Sequence, residues 1–351
     1  MKKTLSILVC LLVAAACIFA NGSQEASGNG SEPSGKLVVY TTAAQAEQDT
    51  IIWNGFCKKY PKIDVEVVEG GSGVLVTRIA SEYKNPQGDI MAGLNYPQYL
   101  TDGYLFESYV VPTNAQLPAA MQDDTEGKLH YSCTQFVCLI VNKDECKKLG
   151  VEVKGYKDLL NPKLKGHIIS ADPAASSSAW NQLTTMLCVM GDSCGDEKAW
   201  DYVEKFAANL DGVMSGSSSR CYKDVINGEY AVGVTYEAGV LDYLSTGEYP
   251  YCELIFPEEG ITEIKFASAI IKGCKNEENA KLYIDWIMSD ECQKALAGTS
   301  QRQANPNFPS SFPAMSNSSD VKVCERDEYF IGQNKPAIIE KWNQIWAKYS
   351  K

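Results

Sequence analysis

The sequence predicts an α/β fold of two lobes joined by two strand crossings, and three observations predict it. Short β-branched runs alternate with helix-spaced segments from residue 37 onward, the pattern of a parallel sheet with helices on both faces. One apolar run, LHYSCTQFVCLIVN at Leu129–Asn142, is longer than a single sheet needs. A second α/β set follows and ends in another long run, EIKFASAIIK at Glu263–Lys272, so the chain passes between lobes twice. Two crossings build a cleft where they meet.

Lys2 and Lys3 precede an apolar run, Leu5–Ala16, that is too short to span a bilayer and reads as a signal peptide over 1–16. Small residues Ala14-Ala15-Ala16 stand before Cys17, as a lipoprotein signal peptidase requires, which makes Cys17 the expected lipidated N-terminus. An ordinary signal peptide cut near Ala20 is the other reading. Residues 17–35 are rich in Gly, Ser and Asn and read as a flexible tether with a reach of about 20 Å.

The run Leu37–Tyr40 reads as a buried parallel strand. Ile52, Phe56 and Tyr60 give Gln45–Tyr60 helical spacing, and Pro61 stops it. Ile63–Val67 alternates as a strand, Gly70-Gly71-Ser72-Gly73 forms a loop, Val74–Tyr83 reads as a helix and Asp89–Ala92 as a third strand. Beyond the first crossing come strands at His167–Ser170, Gly212–Met214 and Ala231–Thr235, and helices at Ser177–Met190 and Glu197–Ala208. After the second crossing come helices at Glu277–Met288 and Asp290–Ala297, a stretch rich in Pro, Ser and Asn, and a last helix over Glu328–Tyr349. The division this implies is lobe 1 from 36–130 and 265–320, and lobe 2 from 131–264 and 321–351.

Acidic residues outnumber basic ones, 44 to 32, for a formal charge of −12. With no basic cluster, this argues against nucleic acid and against anionic membrane surfaces. Thirteen cysteines are present. Without Cys10 and Cys17 the remainder is odd and cannot all pair, and most read as small buried hydrophobes. Only His130 and His167 offer imidazoles and no CxxC occurs, so no metal or cofactor is expected. Neither GxSxG, a P-loop nor HExxH appears, which argues against an enzyme.

Candidate ligand contacts lie in four loops where strands run into helices, the region where open α/β sheets bind ligands. These are Thr41-Thr42, Ser72-Gly73, Ser176-Ser177-Ser178 and Ser217-Ser218. Each offers a hydroxyl beside the free N–H groups of a helix start, which suits an oxyanion. Ser and Thr are also common N-caps without any ligand, so convergence of the loops on one cleft is the sharper expectation.

The order of these residues resembles the type II periplasmic solute-binding proteins of ABC importers, in the branch that includes ferric-iron, thiamine, phosphonate and hexose-phosphate binders. The matching segments are VVYTT at Val38–Thr42, GGSGVLVTRI at Gly70–Ile79, NPQGDIMAG at Asn85–Gly93, DLLNPKLKG at Asp158–Gly166, ADPAASSSAW at Ala171–Trp180, INGEYAVGVTYE at Ile226–Glu237 and AIIKGCKNEENAKLYIDWIMS at Ala269–Ser289.

The resemblance implies hinge closure of two lobes on a ligand, delivery to an ABC permease, and a monomer on the periplasmic or cell-surface side of a membrane. Ferric binders of this branch use paired adjacent tyrosines; here Tyr236 is followed by Glu237, and no Tyr-Tyr pair occurs. The pattern is similar to hexose-phosphate binders, in which Ser/Thr loops hold phosphate and an acid matching Glu237 accepts sugar hydroxyls. Arg302 lies in a loop that carries arginine in relatives and is expected to add a phosphate contact. Ferric iron, a polyamine held by Trp180, Tyr236 and Glu237, and a surface adhesin without a closing cleft are the alternatives.

Overall fold

The apolar runs form the sheet in the order their burial dictates. The computed structural model describes residues 32–350 apart from 44, 123 and 124. The signal peptide expected over 1–16, Cys17 and most of the tether expected over 17–35 lie outside the described residues. Strand β1 (Gly35–Thr41) buries Leu37, Val39 and Tyr40 completely and pairs in parallel with β2 (Ile63–Glu69) and β3 (Ile90–Leu94). Next come β4 (Phe106–Glu107), β5 (His130–Asn142), β6 (Ile168–Ile169), β7 (Val232–Tyr236), β8 (Cys252–Ile255) and β9 (Ile261–Ile271). The main path of the sheet runs β2-β1-β3-β9-β5-β7-β6.

Strand β5 is long because it serves two neighbours in turn. Its first part, His130–Phe136, pairs antiparallel with β9; its second, from Val137, pairs with β7 and β8. Strand β9 does the same, pairing with β5 through Glu263–Ser268 and with β3 through Ala267–Ile270. The two long strands are therefore shared by both halves of the sheet. Each half has its own apolar core, one around Val39, Phe56, Ile90 and Trp286, the other around Leu139, Leu183, Phe206 and Trp342. A small cluster of Phe136, Val137, Ile261 and Ile264 lies at the crossing.

Local departures from the expected elements have identifiable causes. Residues 212–214 are not a strand: Asp211 and Gly212 take φ of 53° and 80°, which a β-ladder does not accept, and one isolated bridge, Ala171 to Ser215, remains. The last helix is two, Glu328–Gln333 and Lys335–Trp346, divided at Asn334. Pro336 has no N–H to continue a helix through that point. Helices at Tyr96–Asp102, Lys143–Leu149 and Glu237–Leu244 and the strand β8 were not expected from the sequence. The helical segment after β1 is π-helical over Asp49–Phe56.

Among the described cysteines, Cys188 and Cys194 form a disulfide, while Cys133, Cys138, Cys146, Cys221, Cys252 and Cys292 are buried thiols. Among the described residues no helix is long and apolar enough to cross a membrane.

Candidate functional site

The carboxyl end of β1 turns into a helical segment beginning at Gln45–Gln48, and this turn forms one wall of a cavity of about 180 Å³. Thr41 is 2% exposed, and its Oγ1 accepts from the Ala43 N–H at 3.0 Å, which fixes the turn. Thr42 packs against Gly93, whose φ of +93° and missing side chain let the two strand ends approach. Glu47 and Gln301 also line this wall. The shared strands supply Ser132, Cys133, Gln135, Phe266 and Ser268. Gln135 is the one residue of β5 that is not buried, which marks where the shared strand faces the cavity.

The second half of the sheet contributes Ser177, Ser178, Ser218 and Tyr236. Ser177 and Ser178 open the helix Ser177–Val189, capped by Ser176, whose Oγ accepts from the Ala179 N–H at 3.3 Å and lies 3.1 Å from the Ser178 Oγ. The first turn of this helix thus presents hydroxyls and free N–H groups to the cavity, with the macrodipole aligned to favour negative charge. Ser218 precedes the short helix Arg220–Ile226.

No lysine, arginine or histidine is among the described lining residues, and Glu47 is the single carboxylate. Burial pushes the Glu47 carboxyl up to about 7, against the smaller lowering effect of hydrogen bonds from Cys133 and Gln301. Burial also raises the Tyr236 phenol, which meets Tyr222 edge to face with centroids 6.0 Å apart. The polar groups that line the cavity are therefore neutral hydroxyls and amides together with the one Glu47 carboxyl.

Residues 53–322 match the family model of bacterial extracellular solute-binding proteins. The chain belongs to this family. It is a type II periplasmic solute-binding protein of the kind that serves ABC importers, a family of non-enzymatic transport components. An uncharacterised protein of Haemophilus influenzae is 27% identical over 98% of this chain and 97% of its own length. The solved periplasmic binding protein AfuA of Actinobacillus pleuropneumoniae, with fructose-6-phosphate bound, superposes with a TM-score of 0.79 at 26% identity, covering 90% of this chain and 99% of that one. A putative 2-aminoethylphosphonate-binding periplasmic protein of Salmonella typhimurium is 24% identical over 67% of each chain.

Within this solute-binding protein, the cavity brings together Thr41, Thr42, Ser177, Ser178, Ser218 and Tyr236 from the residues singled out in the sequence. Ser72 and Gly73 stand outside it: the Ser72 Oγ donates to the Gln98 Oε1 at 2.5 Å, and Gly73 faces open space. Ser217 is turned to its neighbours, with its N–H donating to the Ser215 Oγ at 3.1 Å.

Glu237 and Arg302 are placed otherwise than expected, because they bind each other. The Arg302 Nε donates to the Glu237 Oε2 at 2.6 Å and its Nη2 to the Oε1 at 2.7 Å, a two-pronged pair whose side chains are 8% and 3% exposed. Arg302 also donates to the Ser316 carbonyl and the Ser318 hydroxyl and lies 4.3 Å over the Phe136 ring. Burial raises the Glu237 carboxyl, opposed by Arg302. Glu47, Gln135 and Gln301 also line the cavity and were not singled out in the sequence; the place of Glu47 in the first turn of the helical segment after β1 was the available signal.

Proposed function

We propose that this protein captures a small phosphorylated solute of the hexose-phosphate type in the cavity between the two halves of the sheet. The observation that carries the reading is the convergence of Ser177, Ser178, Ser218, Thr41 and Thr42 on one cavity, at the start of a 13-residue helix and with no basic side chain among the described lining residues. Neutral hydroxyls and free N–H groups at a helix start select a tetrahedral oxyanion. The AfuA structure, solved with fructose-6-phosphate, is in keeping with this ligand class.

The two lobes, 36–130 with 265–320 and 131–264 with 321–351, close by bending at β5 and β9. The chain works as a monomer on the outer face of a membrane, held there by lipid on Cys17, and hands its ligand to an ABC permease. Replacing Cys17 with Ser should abolish palmitate labelling and release the protein.

Ferric iron is the second reading, favoured by one observation: Tyr222 and Tyr236 are in ring contact although they are distant in sequence. Of these two only Tyr236 lines the cavity, where Tyr283 is the other tyrosine among the described lining residues, and iron prefers several oxygen donors. A thermal-shift panel of glucose 6-phosphate, fructose 6-phosphate, glucose, inorganic phosphate, ferric citrate and spermidine separates the readings. Stabilisation by a hexose phosphate alone supports the proposal. Stabilisation by ferric citrate with a visible phenolate–iron band, or by spermidine, refutes it.

A further inference from the structure

Glu47 is the one carboxylate among the described lining residues, and its position inside the cavity has a chemical consequence for the ligand. Its described partners are weak or neutral: the Cys133 Sγ donates to its Oε1 at 3.9 Å, and Gln301 bonds to it, with no basic side chain among them. Gln135, the less buried residue of β5, lines the same cavity. Glu237, the acid the sequence offered for this role, is engaged by Arg302 through both oxygens.

A carboxylate without a cationic partner in a partly closed cavity needs donors from its ligand. It lines the same cavity as Gln301 and Gln135, whose amides both donate and accept. Sugar hydroxyls match such a set, since each hydroxyl donates to one group and accepts from another. An ammonium group donates only and would leave the amide N–H groups unmatched.

We propose that Glu47, with Gln301 and Gln135, receives the hydroxyls of the ligand's polyol portion, and that Glu47 is the residue distinguishing a sugar phosphate from phosphate alone. This rests on the phosphorylated-solute reading above and names the residues that read the other end of that ligand.

The test is calorimetric titration of the full-length protein with glucose 6-phosphate, with inorganic phosphate and phosphoethanolamine as competitors, in the wild type, Glu47→Ala and Glu47→Gln. Loss of a hydrogen-bonded charge predicts an affinity for glucose 6-phosphate about 10- to 100-fold lower in Glu47→Ala, with the affinity for inorganic phosphate unchanged. Glu47→Gln keeps the shape and one acceptor, so its loss is smaller, and it guards against a folding defect. Equal losses on sugar phosphate and phosphate, or none on either, overturn the assignment alone. So does tighter wild-type binding of phosphoethanolamine than of glucose 6-phosphate. No wild-type binding of any of the three refutes the phosphate reading and the Glu47 assignment with it.

Discussion

Replacing Arg302 with Ala leaves the Glu237 carboxylate, 2% exposed, with neither of the two hydrogen bonds that now reach it. The same change removes the donors to Ser316 and Ser318 and the cation over the Phe136 ring. Removing one partner of a buried pair costs about 3–5 kcal/mol, a large part of the roughly 5–15 kcal/mol that holds an ordinary domain folded. Replacing both, Glu237→Leu with Arg302→Met, leaves no uncompensated charge and should cost about 2 kcal/mol or less.

The pH dependence has a definite sign. Burial already holds the Glu237 carboxyl above its ordinary value, and loss of Arg302 raises it further. A carboxyl raised in the folded state contributes stability that is present below its unfolded value and lost as pH rises through its folded one. Arg302→Ala should therefore be closest to wild type at acid pH and furthest from it above neutrality. Urea unfolding followed by tryptophan fluorescence measures both effects. A deficit below about 1 kcal/mol, the range of an exposed pair, or a double variant as unstable as the single one, refutes a structural role for this pair.

Relative to the wild type, Glu47→Gln should change stability with pH in the opposite sense. The wild-type carboxyl titrates at about 7 when folded against 4.5 in its ordinary state. The variant therefore gains on the wild type between those values, by no more than about 3 kcal/mol above neutrality; a difference independent of pH in urea unfolding contradicts this. Gly93→Ala places a side chain against the Thr42 hydroxyl at a φ of +93°, so it should cost about 1–3 kcal/mol and weaken hexose-phosphate binding. Unchanged titrations would refute that close approach. Gly332→Val brings a side chain within 2.8 Å of the Leu100 Cδ1 and 3.0 Å of the Pro97 Cα. Overpacking there should lower stability by about 1–3 kcal/mol, visible in the unfolding midpoint, and no change would show that the two helices do not meet as described.

Much of the sheet was legible because each strand carries its own burial. The run Leu37–Tyr40 is apolar on both faces and is covered on both. The thirteen residues of β5 betray a strand with two sets of neighbours. Pro336 marked a helix break that the apolar spacing of Ile331, Ile338 and Trp342 concealed, since all three are buried in one core. The helix Glu237–Leu244 begins directly after β7 with no intervening turn signal, so nothing local separates the two.

The serine loops were legible because a hydroxyl at a helix start is a local feature. Glu47 was not, because QAEQ at Gln45–Gln48 reads as a solvated first turn and only the tertiary approach of Cys133 and Gln301 encloses it. The Glu237–Arg302 pair joins residues 65 apart, a contact no spacing rule announces. Glu237, which the resemblance offered as an acceptor of sugar hydroxyls, has its charge matched within the protein by Arg302.

A phosphoryl group held in the hydroxyl-lined cavity is the central claim to test. The direct measurement is calorimetric titration of the wild-type protein with glucose 6-phosphate and, separately, with glucose. The phosphate ester should bind saturably and one-to-one and, because charge-assisted hydrogen bonds contribute about 1.5–3 kcal/mol each, glucose should bind about a hundredfold or more weakly. Equal binding of the two sugars, or no heat with either, would contradict it.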